Sequence, residues 1–201
     1  MSLAAMVRVC RMDAEGARRL AIEGLAIARD KGYGFLTGIC TFAVGWATVE
    51  KSGAAQGFAQ MRGGIDALRA GGALVGQTMF LITLADVAHR HGRGDVALAA
   101  LAEAEKALAE GPEQYSASEI FRLRAQMTGS EELFRRAVEV GNQQCNRSYM
   151  LRAAVGLATL LLKHNQTPAA CAVLAPACAA FTDGLESAEL GAATRLLQQV
   201  S

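Results

Sequence analysis

MFLITLADVAHRHGRGDVALAALAEA, residues 79–104, is the stretch that decides the fold. It reads as a helix, a Gly92-Arg93-Gly94-Asp95 turn and a second helix, with small residues where the two must touch. The markers are Ala85, Ala88, Gly92, Ala97, Leu101 and Ala104, spaced 3, 4, 5, 4 and 3 apart. Forty residues earlier the same register holds Gly45, Thr48, Ser52, Gly57, Met61 and Gly64. Another forty back it holds Ala5, Met12, Ala17, Ala21 and Gly24. Seventy-three residues forward it holds Ala158, Leu161, Asn165, Ala170, Leu174 and Ala177, with Ser130, Phe134 and Ala137 forty before the last three.

Small residues at closely approaching backbones, a turn residue and one larger packing residue are the pattern of a tetratricopeptide-type hairpin. An alanine-rich helical protein gives some small-on-small coincidences without any repeat. Glycine, however, costs about 1 kcal/mol inside a helix, and Gly24, Gly45, Gly57 and Gly64 all fall on marker positions. Close helix approach accounts for them.

The expected architecture is therefore all-α: a tetratricopeptide-like solenoid of about five antiparallel helix pairs with a capping helix, forming one repeat domain over residues 1–201. The pairs are expected near 3–30, 35–70, 75–110, 116–142 and 147–182, and the cap at 187–200. Lys31-Gly-Tyr-Gly34, Ser52-Gly53, Gly71-Gly72, Gly111-Pro112 and Asp183-Gly184 supply the turns. Ser116 and Glu119 have capping-box spacing. Thr167-Pro168 reads as a side-chain cap followed by proline at the first helical position, and Pro176 inside that helix predicts a kink. Glu103, Lys106 and Glu110 are read as an outward face. The first helix is short, as though the array were a fragment of a larger protein.

Composition agrees with stacked helices. The chain is 52% hydrophobic but only 5% aromatic, because alanine supplies much of the apolar content. A net charge of +1 gives no basic stripe for nucleic acid. No apolar run reaches the roughly eighteen residues of a membrane span. Five cysteines without a Cys-x-x-Cys pair read as reduced thiols in a cytoplasmic protein.

No enzymatic chemistry is legible. Gly32-Tyr-Gly34-Phe-Leu-Thr-Gly38 lacks the strand and the Gly-Lys-Ser/Thr of a phosphate loop and reads as a helix-ending turn. His89 and His91 are two apart, so they point to different sides of a helix and do not form a metal pair. The cysteines sit among alanines and leucines, away from a base that would activate them. No catalytic residue, metal or cofactor is expected. The remaining candidate is a concave face lined by first helices, where register places Phe42, Trp46, Val49, Met79, Ile82, Asp86, His89 and Arg90, continued by Arg152, Val155, Thr159 and Lys163. Packing and solvation alone would explain these residues. A groove for a helix, tail or peptide, with aromatic and arginine anchors, is the functional reading.

Several motifs resemble the helical-repeat region of large bacterial signalling proteins. They are Gly45-Trp-Ala47, Gly57-Phe-Ala-Gln-Met61-Arg62-x-Gly64, Leu84-Ala85, Ala97-Leu-x-x-Leu101-x-Glu103-Ala104, Glu119-Ile-Phe-Arg-Leu-Arg124, Leu174-Ala-Pro176, Phe181-Thr-x-Gly184 and Ala188-Glu-Leu190. In that family a nucleotide cyclase or DNA-binding domain precedes a signal-transducing ATPase, and tetratricopeptide-like repeats follow. Where the family often has Lys-Gly-Glu, this chain has Arg124-Ala125-Gln126. The resemblance implies a regulatory module that binds a protein or peptide, including other domains of its own parent chain, and shifts an active/inactive balance by differential affinity. Two alternatives stay open: a small-molecule effector sensor, and homodimerisation across residues 3–30.

Overall fold

A computed structural model describes residues 1–72, 76–111, 114–182 and 187–200. Those residues are all-helical, with no strand among them. The chain forms two compact units, Met1–Glu113 and Gln114–Ser201. The boundary falls where the marker register skips from forty to seventy-three. The first unit holds α1 (Ser2–Cys10), α2 (Ala14–Asp30), α3 (Gly34–Ser52), α4 (Ala55–Ala70), α5 (Gln77–Arg90) and α6 (Gly94–Glu110). The second opens with a 3-10 turn, Gln114–Ser116. It continues through α7 (Ala117–Thr128), α8 (Glu131–Gln143), α9 (Arg147–Lys163), α10 (Thr167–Ala179) and α11 (Ala188–Val200). The expected starts at residue 75 and the breaks at Pro112 and Asp183-Gly184 lie outside the described residues.

The marker residues lie in the seams between helices. A Cβ on Gly45 would stand 2.6 Å from the Gly57 carbonyl oxygen, and one on Gly64 would stand 2.7 Å from that of Gly38. Residue 38 thus faces 64 while 45 faces 57, so α3 and α4 run antiparallel with backbones nearly touching. In the second unit, a Cβ on Gly141 would meet Met150 and one on Gly156 would run into the Phe134 ring. The same falling register makes α8 and α9 antiparallel. Ala85, Ala97, Leu101, Ala104, Ala158, Leu161, Ala170 and Leu174 have no exposed surface.

One turn device recurs. Met12, Gly32, Gly92, Cys145 and Asn165 adopt left-handed backbone. In each case the next residue's amide donates to a carbonyl five residues back, as in Asp13 to Arg8 (2.9 Å), Tyr33 to Ala28 (2.8 Å) and Arg93 to Ala88 (2.8 Å). This Schellman arrangement satisfies carbonyls that a helix end leaves open. The next helix starts at once, so each connection is about three residues long. The Asp13 carboxylate caps α2 by accepting the Gly16 amide at 2.9 Å. That bond, with the Arg8 guanidinium, holds its pKa below the ordinary value against some desolvation.

Several local expectations need correction. Gly94 and Asp95 belong to α6, so the turn is His91-Gly92-Arg93. Ser116 stands at the N-cap of α7, but its hydroxyl caps no amide because the preceding 3-10 turn leaves it in helical backbone. Helix α10 starts at Thr167, so neither Thr167 nor Gln166 provides a side-chain cap; the helix runs on through Pro176. Glu103, although its side chain is 36% exposed, is also paired with α4: Arg62 donates to both its oxygens (2.9 and 3.1 Å) and Arg69 to one (2.8 Å).

Candidate functional site

The groove expected in the first unit does not form as read. Phe42 and Trp46 are 0% and 1% exposed, which removes them as anchors for a partner. Their helix, α3, packs against α1, α2, α4 and α5, which cover the part of it that carries Phe42 and Trp46. Phe42 meets Phe80 edge-on, with ring centroids 4.9 Å apart. Val49 and Ile82 are core residues too, whereas Met79 and His89 are only half-buried.

Asp86 and Arg90 do come together, but as a bracket between helices. Arg90 Nε donates to Asp86 Oδ2 at 3.0 Å, and its terminal nitrogens donate to both oxygens of Glu50 on α3. Burial opposes the charge on Arg90, yet Glu50 and Asp86 outweigh it and raise the guanidinium pKa. Glu50 was not singled out in the sequence. It lies forty residues before Arg90, so equivalent positions of successive copies face each other across α3 and α5.

The first unit instead exposes an apolar surface at its start. Of the ten large hydrophobic residues exposed among those described, eight lie between Met1 and Phe35. Leu3 (69% exposed) and Val7 (57%) are four apart on one side of α1.

In the second unit the polar centre is Glu119, which is buried rather than capping α7. Arg122 grips it with two nitrogens, at 2.9 and 3.0 Å, and Arg152 Nη1 reaches it from α9 at 3.2 Å. Arg152 Nε also donates to Glu189 of α11 at 2.8 Å, and its guanidinium lies over the Tyr149 ring. Desolvation works against the Arg152 charge; Glu119 and Glu189 more than offset it, so its pKa stands well above the ordinary value. The network ties α7, α9 and α11 together.

Beside it lies a pocket of about 500 Å³. Arg152 and Lys163 both line it, as do Val155 and Thr159, so these four sequence-singled residues share one site. Arg122, Phe134 and Glu189 also line it and were missed, because they come from other helices. Among the described residues no group of three or more His, Cys, Asp or Glu is placed to hold a metal ion. No described helix is long and apolar enough to cross a membrane.

The thiols differ in access. Cys10 and Cys145 are exposed and Cys40 is buried, and burial pushes the Cys40 thiol pKa up. A thiol reagent at neutral pH is therefore expected to modify Cys10 and Cys145 at once and Cys40 only on unfolding. Time-resolved mass spectrometry of the labelled chain checks this; prompt labelling of Cys40 would contradict the α2–α3 packing. Comparison of the chain with protein-family models, curated proteins and solved structures finds no match.

Proposed function

We propose that this chain is a non-enzymatic, tetratricopeptide-like repeat module that binds proteins and regulates a bacterial signalling protein. The observation that carries the reading is the concentration of exposed apolar side chains on α1, α2 and the start of α3. Single exposed apolar residues are ordinary, whereas a concentration of them in one part of a surface marks an interaction site. Arg8, Arg18, Arg19, Glu15 and Glu23 are interspersed along the same helices, and Arg11 stands in the turn between them. They supply the polar rim that protein interfaces carry. The docking face is thus the outer side of α1 and α2, not the α3–α5 side that register favours. The resemblance to repeat regions of cytoplasmic signalling proteins supports the regulatory role, in which a partner favours one state of the parent chain.

A photo-crosslinking residue placed at Val7 is expected to yield a discrete protein adduct in cells, while the same residue at exposed Leu98 yields none. An adduct of twice the chain mass would make the partner a second copy. Leu3→Glu with Val7→Glu is expected to abolish the adduct while changing stability by no more than about 0.5 kcal/mol per site. Equal adducts at positions 7 and 98, or none at either, would exclude the face.

A further inference from the structure

The pocket of the second unit has a shape and a charge that no docking at α1 and α2 uses. Seven of its lining residues, from Leu151 to Lys163, lie on α9. Residues 151, 152, 155, 156, 159, 160 and 163 recur at the three- and four-residue steps that keep one helical face. That face is about 18 Å long, at 1.5 Å per residue. Spread over that length, about 500 Å³ makes a slot rather than a round cavity. Its volume lies within the range of small-molecule sites, roughly 300–1,000 Å³.

Apolar groups make its walls: Phe134, Leu151, Val155, Leu160 and Ala192. Gly156 allows the Phe134 ring to lie against the α9 backbone, which keeps the slot continuous with the core. The charged groups stand toward its two ends, and the Gln126 amide oxygen, which accepts from Arg122 at 2.7 Å, also lines it. At one end, Arg122 and Arg152 are held by Glu119 and Glu189. At the other, the Lys163 side chain is exposed and has no ion-pair partner among the described residues. Three cations against two carboxylates leave one positive charge, and it sits at Lys163. Between the ends, the Thr159 hydroxyl donates to the Val155 carbonyl at 2.7 Å, so it offers a ligand only acceptor lone pairs. The slot therefore suits an unbranched apolar body with a single negative end.

We propose that this slot binds a linear aliphatic carboxylate of medium chain length, its chain along α9 against Phe134 and Val155 and its carboxylate on the Lys163 ammonium. Lys163 also complements the negative C-terminal end of α9. That role needs only a cation near the helix end. Ligand binding makes the further demand that chain length and charge sign both matter.

The test uses the full chain and decanoate, titrated calorimetrically at neutral pH below the concentration at which the acid self-associates. Saturable binding of one decanoate per chain is expected. Decanol, which keeps the chain and loses the charge, is expected to bind at least tenfold more weakly. Benzoate, which keeps the charge and loses the chain, is expected to be weakened as much, and decyltrimethylammonium should not bind. Lys163→Glu should weaken decanoate at least tenfold and Val155→Trp, which fills the slot, should abolish binding. Lys163→Glu changes an exposed side chain and decides the matter alone should Val155→Trp fail to fold. Absence of saturable binding, equal binding of decanoate and benzoate, or decanoate affinity unchanged in Lys163→Glu would each overturn the proposal. None of these outcomes bears on the α1–α2 docking face, which the crosslinking experiment tests separately.

Discussion

Gly45→Ala is expected to destabilise the first unit by about 3 kcal/mol, at the upper end of the usual range for overpacking. The added methyl would stand 2.6 Å from the Gly57 carbonyl oxygen and 2.7 Å from the Met61 amide nitrogen. Both are backbone atoms, so no rotamer change relieves the contact; α3 and α4 must move apart. That separation would also loosen the reciprocal contacts of Gly57 and Gly64 with α3. Against a typical domain stability of about 5–15 kcal/mol, the loss is large. The control is Gly63→Ala on the same helix pair. Gly63 is exposed within α4, and a Cβ there meets nothing within 4 Å. The same methyl is expected to stabilise there by roughly 0.5–1 kcal/mol, because glycine is a poor helix former. Urea denaturation followed by helical circular dichroism reads both. Shifts of the same sign would mean that the α3–α4 seam is looser than described.

Glu119→Ala is expected to cost the second unit about 3–5 kcal/mol, the usual penalty for leaving buried charge unpaired. The Glu119 side chain is only 3% exposed and that of Arg122 11%. Truncation would take the Glu119 carboxylate from both Arg122 and Arg152, although Arg122 keeps its bond to Gln126 and Arg152 its bond to Glu189. The surface pair Glu131–Arg135 gives the comparison, since its partners are 38% and 55% exposed. Glu131→Ala is expected to cost less than about 1 kcal/mol. Replacing both members of the buried pair, Glu119→Leu with Arg122→Met, is expected to recover much of the loss, because the desolvated charges go together. Denaturant titrations of the four chains decide it. If Glu119→Ala cost no more than Glu131→Ala, the network would not hold α7 to α9.

The helices and their seams were legible because they obey local chemistry. A glycine within a helix is costly unless another backbone presses on it, so Gly45, Gly57 and Gly64 betrayed the α3–α4 contact. Glycine after a helix marked the turns at Gly32, Gly53 and Gly92. Left-handed backbone at Met12, Cys145 and Asn165 was less visible, since only the spacing marked two of these positions as turns. The site was harder to read. Phe42 and Trp46 carry the residue types of binding anchors, but four neighbouring helices cover α3. Register alone cannot tell an open face from one that an adjacent pair has filled. Ser116 and Glu119 have the spacing of a cap, yet Glu119 is claimed by Arg152, thirty-three residues away. The α9 stripe of Arg152, Val155, Thr159 and Lys163 was found because it lies on one helix. Its partners Arg122, Phe134 and Glu189 come from three others, and no local pattern joins them.

The three-residue connections have a kinetic corollary. Within each unit, every helix in substantial contact with another is its next or next-but-one neighbour in the chain. Native contacts can therefore form while closing only short segments, and rates rise as the separation between contacting residues falls. Each unit should gather its hairpins quickly as the polypeptide emerges, without waiting for distant sequence.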